Sequence, residues 1–153
     1  MSSTWTRPFR LLGQGMFISL VTCHIFDPEL GTNNPMGNCE RYRMIHTSNG
    51  IKVGVIGLVE KEWTEKINNS LPADLEYHNM KDVAKELAPM LREQGADIII
   101  VISHARQPRD FDFCENIPEG LVDIVLAGHD HWVEHEKFPN GTHLLRSGFD
   151  LRT

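Results

Sequence analysis

Two unbroken apolar runs constrain the fold of this chain more than any other feature: "DIIIVIS" (97–103) and "VDIVLAG" (122–128). Runs this short, rich in Ile and Val and without alternation, suit strands covered on both faces, as in a parallel sheet. Around them the apolar period changes. "NMKDVAKELAPMLREQG" (79–95) puts Val83, Ala84, Leu87, Met90 and Leu91 on one helical face, with Asn79 placed to cap the start and Gly95 to end it. Pro89 lies inside that pattern and is expected to kink the helix. Upstream, "RYRMIHTSNGIKVGVIGLV" (41–59) reads as two strands around Asn49-Gly50, a hairpin turn in which both positions tolerate positive φ. Further strands are expected at "MFISLVT" (16–22) and "THLLRSG" (142–148). A loop is expected across the Pro- and Gly-rich stretch 28–37, and "KEWTEK" (61–66) reads as an exposed helical turn with Trp63 tucked inward.

Strand, helix, strand, crossover, strand is an α/β order, and parallel strands present ligands at their carboxyl ends. Histidines stand at those ends. His104 follows the first run, and His129 and His131 follow the second in "LAGHDHW" (126–132), 25 positions after His104. A single histidine at a strand end is commonly structural, but three delivered to one sheet edge have the composition of a metal site. Gly128 is expected to let the chain turn sharply there. His135 completes an H-x-H-x3-H spacing, which leaves a single zinc on three imidazoles open as an alternative. His24, His46, His78 and His143 show no mutual spacing and read as solvated. Arg106 and Arg109 in "SHARQPRD" lie near the expected site, either as phosphate contacts or as part of a solvated loop; Trp132 either stacks on a nucleobase or packs at the sheet edge.

Composition narrows the rest. A length of 153 residues suits one domain, and a net charge of −6 argues against a protein that neutralises nucleic-acid phosphates. Cys23, Cys39 and Cys114 are odd in number and form no C-x-x-C, so reduced thiols and a cytoplasmic location are expected. Arg7 and Arg10 before "LLGQGMFISLVTC" loosely resemble a secretion signal, but Gln14 and two glycines interrupt the run, which reads instead as a buried strand. Secretion is the alternative, under which the sequons at Asn68 and Asn140 would matter. No stretch is long enough to span a bilayer.

"IIIVISHA…VDIVLAGHDH", preceded by "GIKVGVIGL", resembles the calcineurin-like metallophosphoesterases, most closely their 5'-nucleotidase-type branch. The resemblance implies one partial domain over 1–153, half of a layered α/β/β/α sandwich matching the second half of the family's catalytic domain. It implies that His104 and His129 ligate one divalent metal and His131 a second, the ions being zinc, manganese, iron or magnesium. A small phosphorylated substrate, a nucleotide among the candidates, follows from the same likeness. Two such cations about 3.5–4 Å apart acidify a bound water and clamp both oxygens of an in-line displacement. The family's upstream motifs, D-x-H, G-D and G-N-H-[DE], do not occur in order, and "GNCE" (37–40) reads as an ordinary turn. Without a bridging carboxylate, four positive charges would be faced by neutral imidazoles alone. The chain by itself is therefore expected to bind metal weakly and hydrolyse little. Two function classes stand: a metal-dependent phosphoester hydrolase, and a non-catalytic truncated or degenerate homologue acting as a binding partner. An incomplete sheet would also expose an edge or face and invite self-association.

Overall fold

The computed structural model describes residues 24–26, 35, 39–62 and 75–149; the expected strand at 16–22, most of the 28–37 loop, Cys23, Trp63 and Asn68 lie outside them. Ten elements follow in order: β1 (Ile25–Phe26), β2 (Arg43–His46), β3 (Lys52–Val59), β4 (Glu76–Tyr77), α1 (Met80–Glu93), β5 (Ile98–His104), α2 (Gln107–Glu115), β6 (Ile124–Ala127), β7 (Val133–Lys137) and β8 (His143–Ser147). Six strands form one sheet in the order β2-β3-β5-β6-β8-β7, with β3, β5, β6 and β8 parallel and antiparallel strands at both edges. The expected α/β class is what the chain adopts.

The two crossovers step across the sheet in one direction, so their helices share one face. Met80, Val83, Ala84, Leu87, Ala88 and Leu91 of α1 and Phe113 and Cys114 of α2 join Ile99, Val101, Val125 and Leu144 in one buried cluster. The opposite face differs from the expectation of strands covered twice. Ile102, Leu126 and Leu145, each one residue out of phase with the core set, are 50%, 42% and 38% exposed. The apolar runs are continuous, yet on their second face these three side chains remain substantially exposed.

Helix α1 begins and ends as its residues dictate. Asn79 Oδ1 accepts from the Lys81 N–H at 2.9 Å. At the other end Gly95 takes φ +93°, while the Gly95 and Ala96 N–H groups donate back to Arg92 O and Leu91 O, a Schellman closure. The helix continues uninterrupted through Pro89, which sits on the exposed side where the carbonyl it leaves without a partner meets solvent. Asn79→Ala is expected to lower stability by about 1 kcal/mol, read as a reduced urea midpoint at unchanged m-value.

The hairpin forms, but not with a two-residue turn. His46 pairs with Lys52, and the Thr47 N–H donates to Ile51 O at 2.9 Å, so the loop spans several residues. Only Gly50 there takes positive φ. Strand β7 leaves no mark in the sequence because "VEHEK" is an almost wholly polar edge strand. His24 is buried, not solvated: its Nε2 lies 2.9 Å from Val59 O, and burial lowers its pKa. Asn140 donates to Cys114 O and Ile117 O, so its amide nitrogen is committed to holding the turn before β8.

Candidate functional site

Parallel register fixes what meets at the carboxyl edge. Val59 lies beside His104, Ser103 beside Ala127, and Ala127 beside Arg146. One residue further along, β3 offers Glu60 and β6 leads through Gly128 to His129. The rings of His104 and His129 stand 5.2 Å apart between centroids, tilted by 51°. Burial, then the neighbouring His129, lowers the pKa of His104; Glu60 works the other way. The net direction favours the neutral imidazole, the form that can donate a lone pair.

Gly128 sits at a close approach: a Cβ there would meet Ser103 O at 3.3 Å and His104 Nδ1 at 3.4 Å, tighter than ordinary van der Waals contact. The sharp turn expected of it falls one residue later. His129 itself has φ +67°, a left-handed conformation uncommon outside glycine and held only where the surroundings enforce it.

What enforces it is a buried polar network beneath the loop. Arg146, whose side chain is fully buried, donates to Asp110 Oδ2 at 2.9 Å, to the Gly128 carbonyl and to Glu134. Asp110 also accepts from the Ser103 hydroxyl at 2.6 Å, tying the end of β5 to the same point. Asp130 caps α2 by accepting from the Gln107 N–H at 2.6 Å, and its other oxygen lies 3.4 Å from His129 Nδ1. Burial opposes ionisation of Asp130, but the Gln107 N–H, the His129 ring and Arg146 together hold its carboxyl below the ordinary value. A carboxylate beside the inner nitrogen of a histidine orients the ring.

The other expected site residues are placed differently. His131 stacks on Phe149 at 4.6 Å between ring centroids, and it is close enough to His104 to add to the lowering of that residue's pKa. Arg106 is engaged through its Nε by both oxygens of Glu60, at 2.8 and 3.0 Å, and Arg109 is engaged by Glu62. Neither guanidinium lies in an uncommitted loop. His135 turns to His143, Nε2 to Nδ1 at 3.1 Å with rings stacked, so neither His143 nor His135 behaves as its spacing suggested. Trp132 is 47% exposed with the Arg146 guanidinium 5.7 Å above its ring.

Sequence reasoning misses Glu60. It is 2% exposed, with Oε1 3.8 Å from His129 Nε2, and its only sequence signal is an acid directly after a β-branched strand. A pair of divalent metals does not fit these side chains as they stand. Among the described residues no three His, Cys, Asp or Glu groups converge as a ligand set, since His131 is held by Phe149 and Glu60 by Arg106.

Comparison with known proteins bears on the class. No family model matches the chain. It is 30% identical over 119 residues to Protein 5NUC of Lutzomyia longipalpis, covering 75% of this chain and 20% of that protein. It is 28% identical over 90 residues to the NAD 5'-nucleotidase of Haemophilus influenzae, covering 58% and 14%. The crystal structure of the calcineurin-like phosphoesterase YfkN from Bacillus subtilis superposes on 84% of this chain and 46% of its own with a TM-score of 0.66 at 18% identity. The fold is that of a calcineurin-like phosphoesterase, and the sequence is related to the 5'-nucleotidases. The chain spans only 14–20% of the length of these two curated relatives.

Proposed function

We propose that this chain supplies the histidine-bearing half of a phosphoester-hydrolase centre of 5'-nucleotidase type, and that alone it is impaired. The observation carrying this reading is the delivery of His104 and His129 side by side by adjacent parallel strands, with His129 in an enforced left-handed conformation. His104 and His129 would be donors to one divalent ion and His131 to a second once a complementary acidic half is present. A bound pair would supply an acidified water; zinc and iron suit the imidazoles, manganese and magnesium the carboxylates. Within the chain, Asp130 orients the His129 ring and Arg146 holds the loop. Nucleotides are the substrate class that the relatives' names support. A cytoplasmic location is the reading that an odd cysteine number without C-x-x-C supports; Cys114 is buried, which pushes its thiol up to about 12 and leaves it inert. No helix among the described residues is long and apolar enough to cross a membrane.

A specific observation favours the second reading, a non-catalytic homologue: Arg106 and Arg109 are both committed to carboxylates rather than to an open anion site. Two measurements separate them. Turnover of a chromogenic phosphoester with manganese or zinc should match His129→Ala and His131→Ala controls, and cation-dependent binding of a nucleoside monophosphate should disappear in those variants. Turnover abolished by both substitutions would refute impairment. Absent nucleotide binding at any cation concentration would refute the hydrolase class.

Self-association through the open sheet face belongs to the same reading. Ile102, Leu126 and Leu145 form an apolar row of the kind that seeks cover. The expected result is a concentration-dependent dimer or larger species in light scattering, reduced by Leu126→Lys. A sharp monomer peak at high concentration would contradict it.

A further inference from the structure

We propose that the Glu60–Arg106 ion pair is a built-in substitute for a divalent cation at the His104–His129 pair: Glu60 is the carboxylate donor of the site, and Arg106 supplies the positive charge that keeps it from a metal. This rests on the reading of His104 and His129 as donors given above. It concerns why the described ligands fail to converge.

A carboxylate as buried as Glu60 must be paired. Its hydrogen bonds come from one residue: Arg106 Nε reaches both oxygens, and the Arg106 backbone N–H donates to Oε2 at 3.2 Å. Yet Oε1 also lies 3.8 Å from His129 Nε2, and the Glu60 backbone N–H donates to His104 O at 3.2 Å, which keeps the two residues adjacent. Zinc takes imidazole nitrogen and carboxylate oxygen each at about 2.0–2.2 Å. Two donors 3.8 Å apart therefore bracket one such ion after a small approach. Two imidazoles and one carboxylate, with a fourth position open to solvent, is a donor set that zinc and cobalt accept. The obstacle is charge. With Arg106 in place, an arriving dication meets a guanidinium that already neutralises the carboxylate on the Nε2 side of His129. Asp130 is turned to the α2 N-terminus, and Glu62 is held by Arg109. Arg106 is 39% exposed, so it can be removed or swing outward without opening the core.

The test uses the full chain and cobalt(II), read by its visible absorption, with zinc(II) affinity by calorimetry. Arg106→Gln should tighten binding roughly tenfold or more, and Glu60→Gln should weaken it by a similar factor. The double variant should bind better than Glu60→Gln, because the opposing charge is gone, yet more weakly than Arg106→Gln, because the carboxylate donor is gone; His104→Ala or His129→Ala should abolish the signal. Circular dichroism checks folding. If Arg106→Gln does not fold, Glu60→Gln against the unaltered chain decides, because its amide oxygen still accepts from Arg106. Should Glu60→Gln and Arg106→Gln both bind as the unaltered chain does while the histidine variants lose binding, the inference falls and the histidine reading survives. If no variant differs, histidine ones included, both fall.

Discussion

Replacing Arg146 with methionine is expected to destabilise the fold by about 3–5 kcal/mol, the largest single effect anticipated in this chain. The guanidinium is fully buried and serves several acceptors at once, Asp110, Glu134 and the Gly128 carbonyl. Methionine is close to it in length and leaves those acceptors without a donor, which costs more than the intact pair contributes. Asp110 limits the damage, because a carboxyl whose pKa is already pushed up to about 6 can take a proton. A small domain holds only about 5–15 kcal/mol in total, so urea denaturation should show a large drop in midpoint. Pairing the change with Asp110→Leu should recover much of the loss, since an apolar replacement for both partners leaves no uncompensated charge. It should not restore the His129 loop, whose Gly128 carbonyl still lacks its donor. An Arg146→Met protein as stable as the unaltered chain would show that the network contributes nothing to folding.

The same residue shows where sequence reading stops. His104 and His129 are legible because each follows a continuous apolar run, and parallel strands deliver their ends to one edge. Nothing local marks Arg146 as the residue that holds His129: its partner Asp110 lies 36 positions away, on another element. Glu60 is invisible for a similar reason, its meaning resting on Arg106, 46 positions on. His24 reads as a surface histidine until the fold brings Val59 to it from 35 positions away. Strand β7 escapes notice because an edge strand needs no apolar pattern, its neighbours being β8 and solvent. The α1 caps, by contrast, depend on residues within a few positions of each other, and there Asn79 and Gly95 do what their local pattern implies. Pro89 does not end α1: a proline on the exposed side of a packed helix costs a hydrogen bond without breaking the run.

Acid should affect this chain through two buried groups acting in opposite directions. Burial, outweighing the Ser103 hydroxyl and Arg146, raises Asp110 from 3.8 to about 6. Between those values the folded state binds a proton that the unfolded state has released, so stability from this group grows as pH falls. The span corresponds to about 3 kcal/mol. His24 is lowered below 6.5 by burial, so the unfolded state takes up its proton first and stability is lost as pH drops below 6.5. The two partly cancel in the unaltered chain, which makes its own profile uninformative. Asp110→Asn separates them, because its amide oxygen still accepts from Arg146, its NH2 can donate to the Ser103 hydroxyl oxygen, and it cannot titrate. At pH 7 the substitution removes one side of an ion pair; by pH 4 the unaltered chain carries a neutral carboxyl at the same place. The stability gap between the two proteins should therefore shift toward the unaltered chain by about 3 kcal/mol from pH 7 to pH 4. Chemical denaturation at four or five pH values measures it directly. A gap independent of pH would mean that Arg146 keeps Asp110 ionised throughout, and that burial of the pair carries no net cost.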